Sequence, residues 1–226
     1  MPPAVTRGVG MGPKSGEGDP GKRNPERSKR KTASAIEPSP GQTCPAAEAE
    51  PGAPAARIGV IADTHGYLDP AIAEVFAGVT HIIHAGDIVD PTTLTVLRGI
   101  APLTAVAGNI DTGELAESLP REVLGEAAGI RFAVGHKRKR LLKRLASAKL
   151  VSAAGDKPPC LVVFGHEHAP SVSWVEGVLY LNPGTATAPD EEDDAATVAI
   201  VTVVAAGLSV TFVPLPRAPL TPPADL

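Results

Sequence analysis

The run Arg57-Ile58-Gly59-Val60-Ile61-Ala62-Asp63-Thr64-His65-Gly66 decides how the rest of the chain reads. Ile58 to Ala62 is apolar without polar alternation, which predicts a short strand buried on both faces. The run then stops at a carboxylate and an imidazole. The same figure returns twice. His81-Ile82-Ile83-His84-Ala85 runs into Gly86-Asp87, and Leu103-Thr104-Ala105-Val106-Ala107 runs into Gly108-Asn109-Ile110-Asp111. Between these runs, residues 70–78 and 91–99 each open on proline and close on glycine, the signature of short helices. A β-α-β-α-β series implies a parallel sheet with right-handed crossovers.

Outward from this core the pattern changes. Residues 121–124 and 130–134 read as a hairpin with its turn in 125–129. Residues 137–149 read as a basic amphipathic helix with Leu141, Leu142 and Leu145 on one face. Leu161-Val162-Val163-Phe164 is another buried strand, running into Gly165-His166-Glu167-His168. Residues 171–175 and 178–181 flank Glu176-Gly177, a hairpin turn. Residues 196–204 and 208–213 form a last strand pair. The whole is a mixed α/β domain of two packed sheets.

The chain has 226 residues, a formal net charge of −4, 43% hydrophobic and only 3% aromatic residues. Residues 1–56 hold 18 Pro and Gly and carry a net +2, without apolar period. That composition predicts a disordered extension. Residues 57–216 form the ordered domain, and 217–226 a flexible C-terminus. The acidic balance and the scarcity of aromatic platforms argue against nucleic-acid binding. Two cysteines, Cys44 and Cys160, are too few for a disulfide framework or a thiolate zinc site. No apolar leader segment follows Met1. Residues 195–216 carry no charge, but Gly207 and the alternation after it favour strands over a membrane helix. A cytoplasmic location is expected.

The chemistry is expected where the strands end, because ligands of open α/β sheets bind beyond their carboxyl ends. Asp63, His65, Asp87, Asn109, His136, His166 and His168 all stand there. Two carboxylates, one amide oxygen and four imidazoles suit Mn²⁺, Fe or Zn²⁺ rather than Ca²⁺. Singly, each of these residues could be a solvated loop or turn residue; the ordered set carries the signal. His84 and Asp111 are candidates for supporting the ligands from behind. Lys137 is a candidate for substrate contact.

Asp63-x-His65, Gly86-Asp87, Gly108-Asn109-x-Asp111, then His136, then Gly165-His166-x-His168 resemble the motifs of calcineurin-like metallophosphoesterases. Asp63-Thr64-His65-Gly66, His84-Ala85-Gly86-Asp87 and Asn182-Pro183-Gly184-Thr185 look most like the small single-domain phosphodiesterases. That branch also includes the retromer scaffold subunit. The likeness spans about residues 57–213. It implies a two-sheet αββα sandwich and a site for two divalent metal ions, Mn²⁺ favoured, with Ni²⁺, Fe, Zn²⁺ or Co²⁺ admitted. By motif, Asp63, His65 and His168 would hold the first ion, Asn109, His136 and His166 the second, and Asp87 would bridge. A metal-bridging hydroxide would attack phosphorus, with Asp87, Asn109 and His65 as catalytic residues. The substrate would be a small phosphodiester or phosphomonoester. A homo-oligomer is compatible with this reading, and a catalytically weak scaffold on the same fold is the alternative.

Three departures bear on this. Relatives carry His-Gly-His where this chain has Gly135-His136-Lys137, and a register slipped by two would put Val134 in place of the ligand. Ile110 stands where some relatives have a histidine that assists the leaving group. An acidic run, Asp190-Glu191-Glu192-Asp193-Asp194, replaces a frequent arginine.

Overall fold

The computed structural model describes residues 35–36, 56–147, 158–187, 195–204 and 207–216. The chain divides into two units, Met1–Thr32 and Ala33–Leu226, the first of which lies outside the described residues. So do nearly all of the expected extension, the acidic run 190–194 and the C-terminal segment 217–226.

The apolar runs form strands where the sequence placed them: β2 (Ala56–Ile61), β3 (His81–His84) and β4 (Leu103–Ala105) pair in parallel. The crossovers carry α1 (Ile72–Val75) and α2 (Thr92–Ile100). β10 (Thr197–Val204) and β11 (Gly207–Pro214) extend this sheet antiparallel beside β2, so the uncharged stretch 195–216 is a strand pair. Among the described residues no helix is long and apolar enough to cross a membrane. β1 (Ala35–Ile36) pairs with β11 at the sheet edge. This short strand falls inside the segment expected to lack order. Backbone pairing to an open edge needs no hydrophobic period, so composition could not signal it.

The second sheet runs in the order β5 (Glu122–Ala127), β6 (Ile130–Gly135), β7 (Leu161–Val163), β9 (Val178–Asn182) and β8 (Ser171–Val175). The β5–β6 turn is tighter than expected, at Ala128-Gly129, both with positive φ. Gly125 is not part of it. It lies opposite Phe132, where a Cβ would meet the ring at 2.5 Å, so its missing side chain makes room for Phe132. α3 (Gly113–Ser118) was not expected from the sequence, and α4 (Arg138–Ala146) is the basic helix.

Period-2 alternation sorts the side chains into layers. Ile58 and Val60 of β2, Val134 of β6 and Val163 of β7 fill the space between the sheets. Ile61 and Ile82 face outward onto Ile72, Phe76 and Leu97 of the α1–α2 side. Leu141 of α4 packs on Ala133 and Val162 behind the second sheet. The result is the αββα sandwich. Cys160, just before β7, is disulfide-bonded, a pairing not anticipated from a count of two.

Candidate metal centre

The carboxyl ends of β2, β3 and β4 meet those of β6 and β7 along one edge of the sandwich. Loop-to-loop bonds hold the ends within each sheet, and His166 N–H, donating to Asp63 Oδ2 (3.0 Å), joins one sheet's loops to the other's. Asp63 N–H donates to Gly86 O (3.0 Å), His65 N–H to Asp87 O (3.1 Å), and Gly165 N–H to His136 O (3.0 Å). The structure therefore brings together all seven residues singled out from the sequence. Two groups form. Asp63, His65 and His168 each offer a donor atom within 4.8 Å of the others, and so do Asp87, His136 and His166. Asn109 joins the second group, its Oδ1 being 3.0 Å from His136 Nε2. His136 faces these loops, whereas Val134 is fully buried between the sheets.

The backbone is bent to achieve this. Asp63, His65, Asp87, His166 and His168 all have φ between 46° and 74°. Non-glycine residues adopt this left-handed region at a cost of roughly 1 kcal/mol or more each, and such strain collects at functional sites. Close approach adds a further demand at Gly108, where a Cβ would sit 2.0 Å from Asp87 Oδ1.

The donor set fits cations. His136 Nδ1–H donates to Ala85 O (2.9 Å), so its Nε2 carries the lone pair in the neutral ring. That lone pair lies 3.0 Å from Asn109 Oδ1 and 3.1 Å from Asp87 Oδ2. With the amide oxygen so placed, three acceptors converge, an arrangement that a proton or a cation satisfies. Likewise His65 Nε2 and His168 Nε2 stand 3.0 Å apart, with Asp63 Oδ1 3.5 Å from the latter.

The electrostatics agree. Burial pushes the Asp63 carboxyl up to about 7, offset only partly by the His136 charge and the His166 N–H. Burial also opposes ionisation of Asp87. There, however, the His136 bond and the N–H groups of Ile110 and Asn109 prevail and hold it near about 2. His136 is the counterpart: burial works to lower it, and its bond to Asp87 with that carboxylate's charge carries it above the ordinary value. His166 and His168 are lowered, first by burial, then by neighbouring cations.

The residues behind the donors hold the loops. Asp111 Oδ1 accepts from Ile88 N–H (2.8 Å) and Val89 N–H (2.7 Å), and its Oδ2 accepts from Gly108 N–H (2.7 Å). His84 is fully buried, accepts from Gly86 N–H at Nδ1 (3.2 Å) and faces Thr64 Oγ1 at Nε2 (3.1 Å). Thr185 and Thr187 went unassigned in the sequence. Thr185 Oγ1 donates to Asp63 O (2.9 Å) and Thr187 Oγ1 to Thr64 O (2.6 Å). The Asn182-Pro183-Gly184-Thr185 motif was their signal. Lys137 is exposed at the start of α4, next to His136.

His84 gives a pH signature. Burial lowers it to about 4. The unfolded chain then binds a proton below about pH 6.5 that the folded chain refuses, so stability present above that pH is lost as pH falls towards 4. Between pH 7 and 5 this amounts to about 2 kcal/mol. In urea unfolding, the stability gap between the wild type and His84→Gln is expected to narrow by that amount over the interval. A constant gap contradicts it. Asp63, which titrates in the opposite sense, is common to both proteins and cancels.

A curated probable metallophosphoesterase of Methanocaldococcus jannaschii is 34% identical over 137 residues, covering 58% of this chain and 69% of that protein. Another, from Methanothermobacter thermautotrophicus, is 33% identical over 137 residues, covering 58% and 78%. In fold, the chain resembles a predicted phosphoesterase of Streptococcus pneumoniae (TM-score 0.53, 22% identity, 71% of this chain and 90% of that one). It also resembles vacuolar protein sorting 29 of Cryptosporidium parvum (TM-score 0.57, 18% identity, 72% and 93%). The model of the calcineurin-like phosphoesterase superfamily domain matches residues 57–206, from the start of β2 through β10, and the chain belongs to that superfamily.

Proposed function

We propose that the protein is a metal-dependent phosphodiesterase working through a dinuclear centre. The observation that carries the reading is the pair of donor triads, each within 4.8 Å, at the meeting edge of the two sheets. Asp63, His65 and His168 would hold one divalent ion and Asn109, His136 and His166 the other, with Asp87 between them. Mn²⁺ is the favoured metal. Two such ions supply Lewis acidity to phosphoryl oxygens and lower the pKa of water.

The chain's own residues set the conditions. The Ala85 carbonyl fixes the His136 ring and tautomer. Asp111, Thr185 and Thr187 clamp the strained loops, so the donors are held before substrate arrives. Asp63 is fully buried while His168 is open, so the centre has a dry floor and a wet mouth. Diester preference is supported by the rim. Tyr67, Val89 and Ile110 are large, exposed and apolar, each within two residues of a donor, on loops that hydrogen-bond to one another. They offer contact to an ester's organic group. Ile110 cannot donate a proton, so leaving groups of low pKa are favoured.

The test is hydrolysis of bis(p-nitrophenyl) phosphate by metal-stripped protein with Mn²⁺, Ni²⁺, Zn²⁺ or Mg²⁺ restored, beside His136→Ala. Turnover restored by metal and reduced at least 100-fold in the variant is expected. No turnover by folded, metal-loaded protein overturns the reading and favours an interaction module on the same fold.

A further inference from the structure

Beside the second donor group lies a cleft of about 150 Å³. Its lining includes Asn109 and His136 together with Arg121, Lys137 and Arg140, with Glu122 its one acid. The cations are not equivalent. Arg140 is paired with Glu122, and Arg144 reaches the same carboxylate at 3.8 Å, so that acid is neutralised within its own cluster. Arg121 donates to the Gly108 carbonyl, a neutral partner, and keeps its full charge. Lys137 is exposed beside His136 and lines the same cleft. Two uncompensated cations therefore flank a cleft that opens directly onto the proposed metal site. The apolar rim of Tyr67, Val89 and Ile110 has no cation of its own, so the mouth is chemically lopsided.

We propose that this cleft is a subsite for a second, non-reacting phosphoryl group of the substrate, held by Lys137 and Arg121. The inference rests on the phosphodiesterase reading and narrows it to substrates that carry two phosphoryl groups close together. Arg121 supplies a planar fork suited to phosphate oxygens, anchored by Gly108, and Lys137 a mobile point charge. The bond chemistry is unchanged: the oxygen of water bonds to the reacting phosphorus, one ester P–O bond breaks, and the proton is released with the products. The group in the cleft only binds.

The experiment compares two esters with the same leaving group, thymidine 5′-(p-nitrophenyl phosphate) with and without a 3′-phosphate. In parallel, inorganic phosphate is titrated calorimetrically into the metal-stripped full-length chain at low salt. The 3′-phosphorylated ester is expected to have a kcat/KM at least tenfold higher in the wild type, through KM. Lys137→Ala and Arg121→Ala should each reduce that ratio several-fold, with Arg121→Lys retaining more of it. Phosphate binding should weaken at least fivefold in Lys137→Ala and decline steeply with salt. Equal kcat/KM for the two esters, or phosphate binding that Lys137→Ala leaves intact, overturns the subsite. If neither ester is turned over, the phosphodiesterase reading falls, while the phosphate titration still decides the cleft.

Discussion

Replacing Asp63 by asparagine is expected to stabilise the metal-stripped protein at pH 8 while weakening its response to metal. Asp63 is fully buried, and its carboxyl is pushed up to about 7. A group with a raised folded pKa gives its stability below the unfolded value of 3.8 and loses it as pH rises through 7. At pH 8 the metal-stripped fold therefore carries a buried anion with one backbone donor, His166 N–H, and His136 Nδ1 only at 4.0 Å. Asparagine keeps an oxygen for that N–H and turns a neutral amide towards His168 Nε2, which lies 3.5 Å from Asp63 Oδ1. After discounting for imperfect hydrogen bonds, about 1–3 kcal/mol is gained, a rise in thermal midpoint of roughly 3–8 °C. The gain should shrink as pH falls towards 4. Added Mn²⁺ should stabilise the wild type more than the variant, which keeps only the Asp87, His136 and His166 group intact. A variant that is less stable than the wild type at pH 8, or that gains as much stability from Mn²⁺ as the wild type does, would contradict the account of Asp63 as a carboxylate kept for a cation.

What was legible in the sequence was what burial on both faces writes into it. β2, β3, β4 and β7 are short apolar runs that stop at charged residues, and each was located to within two residues or so at its carboxyl end. The donor residues were legible for the same reason, because a strand end that meets Asp or His after a glycine is an abrupt change of chemistry. Elements held by tertiary contact were not. α3 has no buried residue of its own. Its Leu115, with Leu119 beyond its end, leans on the small cluster of Ile88, Leu94 and Ala105. Gly125 reads as a turn residue until Phe132 is seen opposite it. In the sequence Asp111 reads only as a support for the ligands. That it ties the β3 loop to the β4 loop through three backbone N–H groups depends on a fold that spacing alone does not give. Nor does any local pattern announce that five donor residues take left-handed backbone, since the loops around them impose it.

Asp87 is where these constraints converge, and Asp87→Asn is expected to lower metal-dependent kcat/KM at least 1,000-fold, about 4 kcal/mol of transition-state stabilisation. Its Oδ1 accepts from Ile110 N–H (3.1 Å) and its Oδ2 faces His136 Nε2 (3.1 Å), in a space that Gly108 keeps open. Asparagine preserves the backbone bond and the volume and removes the charge. The variant should therefore fold, and the loss should lie in metal occupancy rather than in the scaffold. Activity alone cannot separate those causes, so the second readout is the His136 ring. In the wild type, burial lowers its pKa, but the Asp87 bond and charge outweigh burial and raise it. Without them burial is opposed only by the Ala85 carbonyl and Asp63. In the metal-stripped variant, NMR titration should find His136 below its ordinary value of 6.5, where the wild type lies above. Retained metal-dependent turnover would remove Asp87 from the proposed centre. An unshifted His136 beside lost turnover would mean that the pair seen in the fold is not what holds the ring charged, and that Asp63 carries more of that work than its distance of 4.0 Å suggests.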